Sequence, residues 1–383
     1  MKKLISVILA LFLATGLFAA CAGAPVDRPT VGSVGENAEN NDGTGGGTDD
    51  GTGGEDDAET GDTGEKDGEA DETATDPYTK VIILAGQSNA YGYTYADFLK
   101  EKTEAERYER LLNESANIRI FPDADLNDCN AESIHDFKAF SLCTYPISDE
   151  NGETRYRFGP EIGMAETLSR AFPNEDIYIV KVAKGGTSLY EDWRSPSRAE
   201  GTSYLYYLLV QAIQSSLNVL SEAGLNPKIA GFCWMQGESD AEKRWSEADG
   251  FAYADVWSKA YENNLEIFVN DLRETFNAYA LDGETIDFID AYINDGTNPL
   301  NGAVIWPYHE TVNGAKLAFS QKDTHNHVLN TLADDLVVQG KKGLRSDTEY
   351  TAITPIDPLH YDSTSMLKLG NMFGDYIQSI CAM

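Results

Sequence analysis

Val81-Ile82-Ile83-Leu84-Ala85-Gly86-Gln87-Ser88-Asn89 is the stretch on which the fold turns. Its first residues form an unbroken apolar run, the pattern of a strand in a sheet covered on both faces. Gly86 ends the run, and Ser88 then stands just past the strand's carboxyl end, where open α/β sheets bind their ligands. Far down the chain, Asp357-Pro358-Leu359-His360 carries one of only five histidines, with an acid three residues before it. A serine needs a base to become a nucleophile, and an imidazole needs a carboxylate to hold its tautomer. Ser88, His360 and Asp357 are therefore the candidate catalytic residues of a serine hydrolase.

The pattern around this stretch repeats it. Strands are predicted over Lys80–Ala85, Ile177–Val182, Ile229–Trp234 and Ile286–Tyr292, each short and rich in Val, Ile or aromatics. Helices are predicted between and after them. Glu161–Ala171 follows Gly159-Pro160, with proline at a first-turn position. Tyr204–Leu220 sets Leu205, Leu208, Leu209, Ala212, Ile213 and Leu220 near one face. Val256–Tyr279 and Ser365–Ile380 are also amphipathic. Strands alternating with helices of this length imply an α/β fold, a mainly parallel sheet sandwiched between helix layers. Ser115–Arg157 and Asn294–Arg345 break the rhythm and read as loop-rich, the first lying over the edge of the active site. With no internal repeat, residues 79–383 read as one domain.

Residues 1–20 read as a signal peptide: Lys2 and Lys3 precede an apolar run from Leu4 to Phe18, too short for a stable membrane span. Ala19-Ala20-Cys21 resembles a bacterial lipobox, which implies lipidation of Cys21 and attachment to the outer face of the cell membrane. The alternative is cleavage after Ala22 or Ala24 and full secretion. Residues 21–78 then form a Gly/Thr/Asp/Glu linker; over 27–76, 17 acidic residues face 2 basic ones. Such a segment lacks the apolar surface to offset its ordering entropy, and its like charges extend it into a tether. The full chain carries −34, of which −21 falls on residues 77–383. That surface excludes nucleic acid and polyanionic substrates as partners. Besides Cys21 there are Cys129, Cys143, Cys233 and Cys381; export permits disulfides, and Cys129–Cys143 would close a short loop, but free thiols fit the sequence equally well.

Two further motifs fall at predicted strand ends. Lys184-Gly185-Gly186-Thr187 follows the second strand, and Gln236-Gly237-Glu238 follows the third, after Cys233-Trp234-Met235. Together, Gly86-Gln87-Ser88-Asn89, Gly159-Pro160-Glu161, Ala183-Lys184-Gly185-Gly186-Thr187, Trp234-Met235-Gln236-Gly237-Glu238-Ser239-Asp240 and Asp357-x-x-His360-Tyr361-Asp362 resemble an SGNH-type hydrolase of the sialate O-acetylesterase-like, carbohydrate esterase family six branch. The resemblance spans the whole folded region in order. It implies a flavodoxin-like three-layer α/β/α sandwich, no metal and no cofactor, and an acetylated carbohydrate as substrate: O-acetyl sialic acid, xylan or another glycan. It also implies an oxyanion hole made of the backbone N–H of Ser88, that of Gly185 (or Gly186) and the side-chain amide of Gln236. Glu238 is the alternative acid to Asp357. No G-x-S-x-G elbow surrounds Ser88, which argues against the α/β-hydrolase superfamily.

Other residues are weaker candidates. Gln87, Asn89, Gly186 and Trp193 are placed at the substrate, with Trp306 and Tyr308 as further aromatics able to stack on a sugar face. His325 and His327 alternate with Asp323 as on one strand face, but without further ligands they read as a solvent-facing cluster rather than a metal site. Ser88 as a mere helix N-cap is the bland alternative to a nucleophile. A lipase or thioesterase of the same superfamily, or a non-catalytic carbohydrate-binding lipoprotein, are the rival functions.

Overall fold

The computed structural model describes residues 78–121, 136–148, 152–242, 252–281, 283–338, 341–346 and 357–382. The expectations for the signal peptide, Cys21 and the linker, and for pairing of Cys129 with Cys143, lie outside the described residues. Strands are β1 (Tyr78–Gly86), β2 (Thr94–Tyr95), β3 (Ile118–Phe121), β4 (Tyr145–Ser148), β5 (Thr154–Phe158), β6 (Ile177–Ala183), β7 (Asn226–Met235), β8 (Phe288–Ala291), β9 (Asn326–Leu329), β10 (Val337–Val338) and β11 (Lys341–Lys342). Helices are α1 (Ser88–Tyr91), α2 (Ala96–Lys100), α3 (Ala105–Leu112), α4 (Pro160–Ala171), α5 (Tyr204–Glu222), α6 (Glu238–Ala241), α7 (Ala252–Phe276), α8 (His309–Ser320) and α9 (Ser363–Cys381).

Six strands form the main sheet in the order β3-β6-β1-β7-β8-β9, and every neighbouring pair is parallel. The run that opened the sequence lies at its centre: Val81 through Ala85 are fully buried. Continuous apolar strands demand cover on both faces, and β7 shows both. A side chain at Gly231 would meet Ile377 of α9, whereas its neighbour Phe232 packs on Phe268 of α7, with ring centroids 6.2 Å apart. Phe288 stacks on Phe232 at 5.3 Å and meets Phe319 of α8, so α7 and α8 share a face opposite α9. The α9 helix is capped by Asp362, whose carboxylate accepts from Ser365 N–H at 2.8 Å.

The two stretches read as loop-rich contain regular structure. Ser115–Arg157 includes the edge strand β3 and the β4–β5 hairpin, which pairs antiparallel with β2 as a separate small sheet. Asn294–Arg345 includes α8, the edge strand β9 and the short β10–β11 pair.

Candidate active site

Ser88 is placed by the way β1 ends. Gly86 has φ of +141°, and a side chain there would lie 2.0 Å from the Met235 carbonyl oxygen of β7, so only glycine lets the two strands end side by side. Gln87 then donates its N–H to Met235 O at 2.9 Å, and α1 begins at Ser88. Gln87, not Ser88, is the N-cap residue, and no side chain caps this helix. The capping role for Ser88 is therefore removed. Beneath α1 lies a buried ion pair: Lys181 Nζ meets Glu161 Oε2 at 2.9 Å and donates to Tyr91 O at 2.6 Å, while Glu161 Oε1 accepts Gly159 N–H.

Asn89 ties the serine to the histidine turn. Its Oδ1 accepts Tyr361 N–H at 3.0 Å, and its Nδ2 donates to Glu238 Oε1 at 2.7 Å and to Leu359 O at 3.4 Å. The residue after Ser88 thus holds the residues on either side of His360. Within that turn, Asp357 Oδ2 lies 2.7 Å from His360 Nδ1, and Asp357 Oδ1 accepts the N–H groups of Leu359 and His360. Burial raises the Asp357 pKa, but the hydrogen bond and charge of His360, with those two N–H groups, outweigh it and hold the carboxyl below its ordinary value. Tyr93 lies flat on the imidazole, with centroids 4.5 Å apart and planes 14° from parallel.

The Lys184–Thr187 turn comes to the same corner: a side chain at Gly185 would begin 3.5 Å from Ser88 Cβ and 3.0 Å from the Tyr93 hydroxyl. Asp240 fixes this turn to the end of β7 by accepting Leu189 N–H at 2.8 Å, Tyr190 N–H at 3.0 Å and Gln236 Nε2 at 2.7 Å. Gln236 departs from the expectation. It is fully buried, its amide donates to Asp240 Oδ2 and to Thr187 O at 3.0 Å, and its Oε1 accepts from Tyr261. Both amide hydrogens are committed to holding the loop, so neither is aimed at an oxyanion.

Glu238 and Lys316 belong to a buried network under the site. Glu238 spends Oε1 on Asn89, and its Oε2 has no hydrogen-bond partner among the described residues. Burial pushes its pKa up, opposed by the Asn89 hydrogen bond, its own backbone, Lys316 and His360. The carboxylate on the imidazole is that of Asp357, not Glu238. Lys316, from α8, donates to Asp290 Oδ1 at 2.6 Å, Gln236 O at 2.6 Å and Ala291 O at 2.8 Å, joining the ends of β7 and β8. Burial moves Asp290 up to about 6 despite Lys316. Sequence reading missed Lys316, although a signal was present. Val312, Lys316 and Phe319 follow a helical stripe, so this lysine sits on the apolar face.

The substrate-contact candidates fare differently. Trp193 is fully buried, donates its indole N–H to Thr187 Oγ1 at 2.9 Å and packs edge-on against Trp234, so no ring face is open to a sugar. Gln87 and Asn89 are 3% and 1% exposed; Gln87 Oε1 accepts the N–H groups of Gly237 and Ser239, and both side chains organise the site rather than line it. Gly186 is exposed in its turn, with φ of +70°. Trp306 is buried, and Tyr308 is partly so. His325 and His327 converge on Asp287 Oδ1 at 3.3 and 2.6 Å, and His327 also meets Tyr376. They are partly buried and engaged, which replaces the reading of a solvent-facing cluster. Among the described residues, Cys143, Cys233 and Cys381 form no disulfide with one another. Among the described residues no group of His, Cys, Asp or Glu is arranged to hold a metal ion.

Residues 78–379 match the sequence family described as SASA, carbohydrate esterase, sialic acid-specific acetylesterase. No curated protein matches the chain. Among solved structures, NanS is 18% identical, with a TM-score of 0.51 over 80% of this chain and 97% of its own. A protein from Arabidopsis thaliana is 20% identical, with a TM-score of 0.49 over 79% and 99%. Est24, a carbohydrate acetylesterase from Sinorhizobium meliloti, is 10% identical, with a TM-score of 0.39 over 79% and 99%.

Proposed function

This chain belongs to the carbohydrate esterase, sialic acid-specific acetylesterase family, and from that premise we propose that it removes O-acetyl groups from a glycan through a serine acyl-enzyme. As a member it is a carboxylic ester hydrolase. The observation that carries the mechanism is the 2.7 Å contact between Asp357 Oδ2 and His360 Nδ1. It holds the proton on Nδ1 and leaves Nε2 as the base for the Ser88 hydroxyl.

Ser88 Oγ attacks the acetyl carbonyl while His360 takes its proton. The imidazolium, steadied by Asp357, returns that proton to the departing sugar oxygen, leaving acetyl on Ser88. Water, deprotonated by His360, then attacks the acyl carbonyl, acetate leaves and Ser88 recovers its proton. The oxyanion is received by the backbone N–H groups of Ser88 and Gly185, and Gln236 supports this corner from behind. Glu238 acts through Asn89, which positions the histidine turn against the serine. The group attacked is an uncharged acetyl ester on a sugar. Export, the Cys21 anchor and the linker complete the proposal, holding the enzyme at the outer cell surface where glycans are met.

The test is acetate release from acetylated sialic acid, acetylated xylan and longer acyl esters, with Ser88→Ala as control. Release of acetate from a sugar ester that disappears in Ser88→Ala supports the reading. Preference for long acyl chains would favour the lipase alternative, and activity that survives Ser88→Ala would sink the mechanism.

A further inference from the structure

Beyond the carboxyl ends of β8 and β9 lies a cavity of about 410 Å³ in which no group of the serine mechanism is found. Its walls include Asn294, Asp295 and Thr297 after β8, Leu332 after β9, His309 at the start of α8, and Pro358. The main-sheet strands are parallel, so these ends share one edge with the end of β1, where Ser88 stands. Pro358 belongs to the turn that carries Asp357 and His360. The base and part of the cavity wall are thus one four-residue turn. Arg345 and Ser346, also in the wall, are fastened just beyond it, because Asp362 N–H donates to Arg345 O at 2.7 Å.

The lining is polar and held in place. Asn294 Nδ2 donates to Ser346 Oγ at 2.7 Å, and Asp295 accepts the Thr297 hydroxyl and N–H at 2.6 and 2.9 Å. His309 Nδ1 lies 3.0 Å from Trp306 O; a carbonyl only accepts, so Nδ1 carries the proton and Nε2 of the neutral ring is an acceptor. Trp306 packs behind Gly296 in the wall, where a side chain would meet its ring at 2.9 Å. A hydrocarbon chain would leave these polar groups unpaired, which costs binding energy, whereas hydroxyl groups pair with them. The volume falls in the range of roughly 300–1,000 Å³ typical of small-molecule sites, and an acetyl group needs only a small part of it. With acetyl over Ser88, the group left to be housed is the sugar. Its oxygen departs with the proton from His360, so the ring extends from the side of the base.

We infer that this cavity is a sugar subsite: it seats a ring of the leaving group, and His309 Nε2 accepts a sugar hydroxyl there. The inference rests on the esterase reading of Ser88 and His360 and extends it to residues outside the triad. His309 and Thr297 take no part in the bond changes; they select which esters are brought to the serine.

Two variants probe the subsite. Thr297→Trp fills the cavity from an exposed position, and its backbone keeps the N–H that Asp295 accepts. His309→Ala removes the acceptor. The experiment measures kcat and KM on an acetylated xylo-oligosaccharide, on O-acetyl sialic acid and on an aryl acetate, which has no sugar, with the melting temperature as the check on folding. The expected result, for the sugar ester the parent cleaves faster, is a ratio of sugar-ester to aryl-ester kcat/KM lower by on the order of 10-fold, with the change in KM. A ratio within about threefold of the parent's in either folded variant overturns the subsite, as does a fall confined to kcat. If His309→Ala does not fold, Thr297→Trp alone decides. If the parent releases acetate from none of the three esters, the esterase reading fails and takes this one with it. A parent active on the aryl acetate and on neither sugar ester refutes the subsite alone.

Discussion

Replacing Lys316 by methionine keeps the length of the side chain and removes its charge. In the native fold that ammonium is fully buried and meets three acceptors: Asp290 Oδ1, Gln236 O and Ala291 O. Methionine leaves Asp290 facing no cation, with its Oδ2 already lacking a hydrogen-bond partner among the described residues. Breaking one side of a buried pair costs about 3–5 kcal/mol, because the remaining charge is stranded. At about 2–4 °C per kcal/mol, the melting temperature should fall by roughly 6–20 °C at pH 8. The penalty should depend on pH in one direction. Asp290 is raised from 3.8 to about 6, so the folded state holds its proton more tightly than the unfolded chain, and stability from this group falls as pH rises through that window. Without Lys316 its pKa rises further and the window extends upward. The variant should therefore be closest to the parent near pH 5, where Asp290 is protonated in both. Thermal and urea unfolding at pH 5 and pH 8 provide the assay. A second variant, Lys316→Met with Asp290→Leu, should recover most of the loss by removing the stranded carboxylate. A loss below about 1 kcal/mol at pH 8, or a penalty that grows at pH 5, would refute the account of this pair.

Two further outcomes follow from the site. Asp357→Asn should lower kcat by about 10³–10⁴-fold by disturbing the imidazole tautomer, while Glu238→Gln, which touches His360 only through Asn89, should cost far less; steady-state kinetics with the reverse ranking would move the triad acid to Glu238. Asn89→Ala should destabilise the fold by about 1–3 kcal/mol, since it strands the buried Glu238 carboxyl, and should lower kcat as the His360 turn loosens from Ser88; unchanged kcat and melting temperature would contradict its role as a tie.

What the sequence reveals, and what it hides, follows from how each residue is held. Val81–Ala85 was legible because a central parallel strand has no polar face, and the same holds for β6 and β7. Edge strands lack that signature. Ile118–Phe121 carries Arg119, and Asn326–Leu329 opens on a buried asparagine, so both read as loop from the sequence. Ser88, Asp357 and His360 stood out because their chemistry is local to a strand end and a four-residue turn. The roles of Gln236 and Trp193 were misread because residue type shows what a side chain can do, not which way it points. Lys316 and Tyr93 were missed for the opposite reason. A lysine in a helix and a tyrosine after a short turn look ordinary until the fold sets them against Asp290 and His360, 26 residues before the one and 267 beyond the other.

The central claim is that Ser88 is the nucleophile of an acetylesterase, and a fluorophosphonate reagent tests it most directly. Intact and peptide mass spectrometry should find a single adduct, on Ser88, appearing in step with the loss of acetate release and absent from Ser88→Ala. An adduct on another residue with Ser88 unmodified, or full acetate release from Ser88→Ala, would contradict the account.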